Sequence, residues 1–511
     1  MAPSINNPFK GGQQHFLLRY KGVFLTLAVV VLIGIVVTNG NSNNQEEQVP
    51  ARLMHAAEAA IARNRGASSL RKHKQQEEQP VQEEEDEEIK TEINDDDETD
   101  DESFPRLTLE EYPKWLKKYS RKLQWASREN KFEQRLTKDT LMESFHLGRT
   151  NLGANQKKDG SFNYQYDFVS GEMDEEDSQV RQAGAFWGVV LCYQFEQTQE
   201  SKNTVEKGVE FFMKHAVDGP IDDTILIHYP GESRSDTGTN ALVALGLIDY
   251  LRTINDNSID IDSSHKQMLE TKLRKLINFL KWVQKDNQHF ASSFQIDNNL
   301  PTKGFSSYYD GEAMLALVKA AKYLKKYKDL VPLIEDASMV LAKAYTVDVW
   351  RSDEHDSDQT KGFYQWSSMF LYEYYDGTGW KDANVFGDYV LVLSHWIINT
   401  HGVLHRQKNT GYAFEGIISA YHVAQQRNND KATEALAYAI DRGLYKLTSW
   451  QVGGPLQDEN PFLVEHGTTE EIAVGGVMNA RNEAPLRIDT TQHQMHAVVM
   501  AIESSLYDDT R

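Results

Sequence analysis

Beyond residue 130 the apolar residues follow two patterns that alternate along the chain. In the first, a single apolar stripe repeats with helical period. Leu269, Leu273, Leu276, Leu280 and Val283 share one face while lysines and glutamates cover the other, as a helix with one wet side requires. Segments of this kind run from Leu136 to Asn151, Lys202 to Ala216, Met268 to Lys285, Asp329 to Thr346, Phe386 to Thr400 and Lys431 to Trp450. In the second pattern the segment is apolar nearly throughout, the mark of a helix buried on all sides. It covers Ala183 to Phe195, Ala241 to Leu251, Ala313 to Leu324, Trp366 to Tyr374, Phe414 to Ala424 and Gln492 to Ile502. Gly184, Ala244, Ala316 and Ala420 are small enough for such helices to approach closely. Six alternations of a one-sided helix with a buried one predict an all-α fold, an (α/α)6 toroid of outer-inner hairpins around a central funnel.

A polar residue opens each buried helix: Gln182, Asn240, Glu312, Gln365, Glu415 and Gln492. Setting Asn240-Ala-Leu-Val-Ala-Leu245 beside Glu312-Ala-Met-Leu-Ala-Leu317 and Glu415-Gly-Ile-Ile-Ser-Ala420 keeps the polar residue in register. The six are therefore expected in one layer at one end of the ring. Links from inner to outer helices are mostly short, whereas links from outer to inner are long and rich in Gly, Asp, Tyr, His and Arg. Long structured loops usually carry function, and all of these emerge beside the polar helix starts. A further helix, Pro113 to Asn130, is expected to pack on the outside of the ring through Trp115, Leu116, Tyr119, Leu123 and Trp125.

The region before the ring has a different character. Val23 to Val37 is apolar apart from Thr26 and Gly34 and follows Lys10, Arg19 and Lys21. This reads as a signal anchor, because the leading segment is long and Val37-Thr-Asn-Gly40 is a poor cleavage site. Basic residues before the span place residues 1–22 in the cytosol, residues 23–38 in the membrane and the rest in the lumen. The expectation is a single-pass type II protein of the endoplasmic reticulum or Golgi, or a secreted one if the anchor is cleaved. Arg52 to Lys74 has helical character. Glu77 to Glu102 then holds sixteen Asp or Glu against one Lys, and without that run the formal charge of -22 falls to about -7. Such a run cannot bury enough apolar surface to offset its ordering entropy. Residues 39–104 are therefore expected to be a disordered stem, with recruitment of basic partners or cations as the alternative. Residues 105–511 form the luminal domain. Once the stem is set aside the domain is only mildly acidic, which argues against a nucleic-acid partner.

Cys192 is the only cysteine, so no intramolecular disulfide exists, and its apolar neighbours make it a buried, inert thiol. No Asn-X-Ser/Thr glycosylation sequon occurs.

The long loops bring Asp159-Gly-Ser-Phe-Asn-Tyr-Gln-Tyr-Asp167, His228-Tyr-Pro-Gly-Glu232, Tyr308-Tyr-Asp-Gly-Glu312, His405-Arg-Gln407 and Arg487-Ile-Asp489 to one face. Aromatic faces among carboxylates suit the apolar and hydroxyl surfaces of sugar rings. Glu312 and Glu415 are the first candidates for catalysis, since a buried charge at a helix mouth costs free energy unless it is paired or used. A carboxyl pair across a funnel supplies the acid and base of glycoside hydrolysis; the alternative is helix N-terminal stabilisation. Asp310 and Asp489 are the next candidates, or N-caps. Arg181 and Arg487, adjacent when the ring closes, either clamp an acidic sugar or pair with Asp489 or Glu172 to hold the ring shut. Gln182, Asn240, Tyr308, Tyr309, Gln365, Tyr412, Gln492 and His493 complete the expected substrate contacts. His493 and His496, with His405 and His466 in loops, are candidate bases for an epimerase or lyase. No cofactor is called for and no metal site is expected, because no His-X3-His pair on one helix and no cysteine cluster is present. The acidic loop Asp353 to Asp358 lacks the glycine and distal glutamate of a calcium loop.

With six helix pairs, Tyr308-Tyr-Asp-Gly-Glu312 and Arg487-Ile-Asp-Thr-Thr-Gln-His493 at the funnel mouth, residues 131–505 resemble the six-hairpin glycosidase superfamily. That resemblance implies a carbohydrate-active hydrolase, epimerase or lyase with a glycan substrate. Gln156-Lys-Lys-Asp-Gly-Ser-Phe162 and Gln284-Lys-Asp-Asn-Gln-His-Phe290 also look like the turns of terpenoid cyclase and prenyltransferase toroids. Those need an Asp-X-Asp-Asp centre or a cysteine-bearing zinc site; Asp222-Asp223 and lone Cys192 supply neither. A membrane-tethered scaffold that binds glycan or protein without catalysis is the third class.

Overall fold

The computed structural model describes residues 106–125, 133–174, 176–350 and 355–508. The expected span, stem and acidic run lie outside these residues. Among the described residues no helix is long and apolar enough to cross a membrane.

Six helices form the inner ring: α3 (Gln179–Phe195), α5 (Thr237–Asp256), α7 (Ser307–Tyr323), α9 (Asp358–Tyr375), α11 (Gly411–Gln426) and α14 (Ile488–Glu503). Each packs on the next, and α14 returns to α3, so the ring closes. Six outer helices cover it: α2 (Lys138–Ala154), α4 (Gln199–Lys214), α6 (Ser263–Val283), α8 (Val331–Ala344), α10 (Ala383–Asn399) and α12 (Asp430–Thr448). Every element of the expected toroid is present.

Local chemistry sets where these helices start. Asp262 caps α6, its carboxylate accepting from the backbone N–H groups of Ser264 and His265, and Leu269, Leu273, Leu276, Leu280 and Val283 form the buried stripe. Thr198 and Ser201 cap each other's backbone at the start of α4. In α5, by contrast, every residue from Thr237 to Leu251 is buried. Phe186 of α3 reaches Gly208 and Gly246, where an added Cβ would lie 2.6 and 2.4 Å from its ring. Outer and inner helices can approach there only because both positions lack a side chain.

Inner helices are left through short links (196–198, 257–262, 427–429) and entered through long ones (155–178, 215–236, 284–306, 449–487). Every inner helix thus presents its N-terminus at the same end. The long loops carry short strands, which the sequence pattern did not show because two or three residues are too few for an alternation to register. β1 (Gln165–Asp167) pairs antiparallel with β8 (Pro485–Arg487), setting Gln165 opposite Arg487. The first long loop is stitched to the last where the ring closes. β5 (Arg234–Asp236) pairs with β6 (Ser293–Gln295), joining the second loop to the third, and the remaining strands are β2 (Glu172–Met173), β3 (Ala216–Asp218), β4 (Ile225–Ile227) and β7 (Leu300–Pro301). A short helix, α13 (Pro461–His466), lies in the sixth long loop.

The N-terminal helix α1 (Tyr112–Ser120) is shorter than expected. It straps the outside of the ring: the Tyr112 hydroxyl donates to the Ala342 carbonyl at 3.0 Å and Ser120 Oγ to Asp388 Oδ1 at 3.0 Å. The apolar pattern continues through Leu123 and Trp125, but the chain has left the helix. The Gln124 carbonyl accepts from His395 Nε2 at 3.2 Å and Trp125 meets the His395 ring edge-on. Tertiary contact replaces helix propagation there.

Candidate active site

The six polar residues at the inner helix mouths divide into two sets. In α3, α5, α7 and α14 the fourth residue of the inner helix clamps the incoming loop. Gln182 Oε1 accepts from the Phe162 N–H at 2.8 Å and its Nε2 donates back to the Phe162 carbonyl at 2.9 Å. Asn240 Oδ1 accepts from the Ile227 N–H at 2.9 Å, and Thr491 Oγ1 from the Val477 N–H at 3.0 Å. In α7 the equivalent residue is Asp310, which accepts from the Phe290 N–H at 2.8 Å and the Tyr345 hydroxyl at 2.6 Å and meets His289 Nδ1 at 2.6 Å. The register that matched Asn240 to Glu312 is therefore two residues off, because an apolar helix offers few landmarks for alignment. Gln182, Asn240 and Asp310 are all fully buried and committed to loop backbone. All three were expected at the substrate site, and here each holds loop groups around its helix start. The two cyclase-like turns are what they hold: Gln156 bridges Phe162, and Gln284 bridges Phe290.

Glu312, Gln365, Glu415 and Gln492, the second set, are also buried. Trp187 of α3 and Trp366 of α9, helices that are not neighbours in the ring, bring their rings to 5.9 Å and so meet across the axis. Beside them Glu415 Oε1 lies 3.1 Å from His493 Nδ1 and 2.8 Å from His496 Nδ1. Gln365 Nε2 approaches His493 Nε2 at 3.1 Å. Burial works against ionisation of Glu415, but the two histidines outweigh it and hold the carboxyl below its ordinary value. Burial likewise opposes charge on His493, and Glu415 outweighs it, raising the imidazole above its ordinary value. An ion pair at the centre of the ring is the result.

Glu312 is different. It is 2 % exposed, and its Oε2 is buried with no hydrogen-bond partner. Burial, and then the nearby Asp236 charge, push its carboxyl well above the ordinary value. Space for it comes from Gly238 in the first turn of α5, where a Cβ would stand 2.2 Å from Glu312 Oε2 and 2.6 Å from the Tyr309 ring. Asp236, placed by β5 just before α5, lies 3.1 Å from Arg234 Nε and accepts from the Tyr309 hydroxyl at 3.5 Å. Asp236 and Arg234 were not singled out from sequence. An Asp before a helix reads as an N-cap, yet this one makes no side-chain cap.

Asp489 is gripped where the ring closes. Arg487 donates to both its oxygens, at 2.6 and 2.9 Å, and Arg181 Nε lies 3.6 Å away while its guanidinium donates to the Tyr164 hydroxyl. Burial opposes the charge on Asp489, and the two guanidiniums override it and hold the carboxyl far below the usual range. Of the two roles foreseen for Arg181 and Arg487, pairing with Asp489 is the one the structure displays. Tyr308, Tyr309 and Tyr412 are half-buried around the same mouth. His405 is exposed, and His466 lies against Phe462, their rings tilted and 4.7 Å apart.

Besides Glu312, the side chains of Glu415, Gln492 and Trp366 each keep a buried polar atom without a hydrogen-bond partner. Such atoms are costly in a core unless something polar meets them.

No protein-family model matches the chain, and no curated protein does. Several solved structures align with most of this chain. A family 76 alpha-mannanase of Bacteroides thetaiotaomicron is 11 % identical, with 72 % of this chain and 96 % of that chain covered at a TM-score of 0.45. An unsaturated glucuronyl hydrolase from Streptococcus agalactiae is 13 % identical, covering 76 % and 98 % at 0.45. A D-mannose isomerase is 11 % identical, covering 74 % and 100 % at 0.48.

Proposed function

We propose that the domain is a glycoside hydrolase acting at the N-terminal mouth of the inner ring, with Glu312 as proton donor and Asp236 as the partner carboxylate. The observation that carries this reading is the pair itself: a buried carboxyl whose environment favours the protonated form, beside a carboxylate paired with Arg234. Two carboxyl groups in such different surroundings divide naturally into acid and base. Glu312 would protonate the leaving glycosidic oxygen while Asp236 activates water or attacks the sugar carbon. Tyr308, Tyr309 and Tyr412 offer aromatic faces for sugar rings. Glu415 and Asp489, held by histidines and arginines, position the floor and wall and do not donate protons. The test is a glycan library incubated with wild type, Glu312→Gln and Asp236→Asn, scored for reducing ends and for binding. Loss of turnover with binding retained supports the reading, and normal turnover in Glu312→Gln refutes it.

A second reading, a sugar epimerase or lyase, is favoured by Glu415 lying between His493 and His496, a ready path for moving a proton. Deuterium entering the sugar carbon without new reducing ends, or a product with a new double bond, would select it.

We further propose that residues 23–38 anchor the protein in the endoplasmic reticulum or Golgi membrane with the toroid in the lumen, a reading supported by the basic flank before the apolar run. In sealed microsomes the toroid should resist protease until detergent is added. Digestion without detergent would refute the orientation.

A further inference from the structure

The ring has a second mouth. At the C-terminal ends of the inner helices, opposite the long loops, lies a cavity of about 260 Å3 to which all six inner helices contribute. The Trp187 and Trp366 rings meet across the axis between the two mouths, and Trp187 with His496 lines the cavity. Its walls are apolar where Leu191, Leu315, Met369, Val499 and Met500 face it.

Its polar groups are fixed from behind. Lys319 Nζ donates to Asp249 Oδ2 at 2.6 Å, and the same oxygen accepts from the Trp187 indole at 2.8 Å. Arg252 lies 3.7 Å over the Tyr323 ring. The Tyr323 hydroxyl and Lys322 each donate to Glu373 Oε2 at 2.7 Å. His422 stacks on Tyr372 at 5.7 Å, and burial lowers its pKa, favouring a neutral ring that can both donate and accept. His496 spends Nδ1 on Glu415.

Two cations, Arg252 and Lys319, face two carboxyl groups, Glu373 and Glu503, so the lining is balanced in charge. Lys319 already holds Asp249, Arg252 holds Asp256 and Glu373 holds Lys322. Fixed donors and acceptors over an apolar wall suit a neutral polyhydroxylated ring. The volume lies below the roughly 300–1,000 Å3 of pockets for larger ligands, which limits the occupant to one ring.

We propose that this cavity is a second binding site for a single neutral sugar unit, back to back with the first mouth and joined to it through His496, Glu415 and His493. The proposal does not depend on the hydrolase reading.

The test uses the full chain in detergent, carrying Glu312→Gln so that nothing is turned over, with D-glucose, D-galactose and D-mannose as probes and D-glucuronate as the charged counterpart. Binding is read by calorimetry and by saturation-transfer NMR. At least one neutral hexose should bind, and His422→Trp and Ser419→Leu, which fill the cavity from α11, should each weaken it tenfold or more. Asp236→Asn at the other mouth should change it less than twofold. Two filling variants are used so that a folding failure in one, seen by circular dichroism, leaves the other. No binding of any neutral hexose overturns the proposal. So does binding of glucuronate alone, binding indifferent to both filling variants, or binding lost with Asp236→Asn.

Discussion

Glu312 combines full burial with the absence of any hydrogen bond to Oε2, and its pH behaviour follows from that. Burial and Asp236 raise its folded-state pKa above the unfolded value, so its ionisation costs nothing at pH below about 4.3. Stability is then lost as pH rises toward the folded value. Glu312→Gln should therefore melt higher than wild type at neutral and alkaline pH and alike at low pH, while turnover falls by about 10² to 10⁴-fold. Thermal unfolding across pH, beside initial rates, checks both halves. In the wild type, kcat/KM should fall on the alkaline side as Glu312 loses its proton. Gly238 supplies a steric counterpart. A Cβ there meets Glu312 Oε2 and the Tyr309 ring at 2.2 and 2.6 Å, so Gly238→Ala should cost about 1–3 kcal/mol from overpacking and displace the carboxyl. If denaturant unfolding and activity are both unchanged, the site is looser than the structure shows.

Between elements, the decisive contacts join an inner helix to a loop or to the next helix. Asp310 ties α7 to the loop before it through Phe290 and His289, and to the segment after α8 through Tyr345. Asp310→Ala leaves Phe290 N–H, Tyr345 and His289 without their acceptor, a loss on the order of 3 kcal/mol. Urea titration should show it, and hydrogen exchange should localise the loosening to residues 284–306. Asp489 ties α14 to α3 through Arg487 and Arg181. Its carboxyl is held below the unfolded value, so its contribution is present above about pH 4 and is lost as pH falls through the folded value. Asp489→Asn should be destabilised at neutral pH, with the gap to wild type narrowing in acid. A gap independent of pH would mean that the charge is not what holds the ring there.

At the scale of the whole molecule, two patterns of apolar residues were enough to place twelve helices, their inner and outer ranks and the end at which the long loops gather. One-sided and all-round burial leave different periodicities in a single chain, and loop length needs no tertiary information to be seen. Trp115, Leu116 and Tyr119 likewise placed α1 on the outer wall. The chemistry of the mouth was only partly legible. Glu312 stood out because a carboxylate in an apolar helix is conspicuous, and Arg487 and Asp489 because both lie where the last inner helix begins. Asp310 and Glu312 are two residues apart on one helix, and only the fold sends one to a loop backbone and leaves the other without a hydrogen bond. Asp236 comes near Glu312 because β5 pairs with β6 at the start of α5. The Trp187–Trp366 contact joins helices on different sides of the ring, and the cavity beyond it needs all six inner helices at once. Periodicity is a property of each helix alone, so the sequence by itself determined which faces are buried. Direction, distance and charge balance across the axis depend on residues far apart in the chain, and these only the closed ring decided.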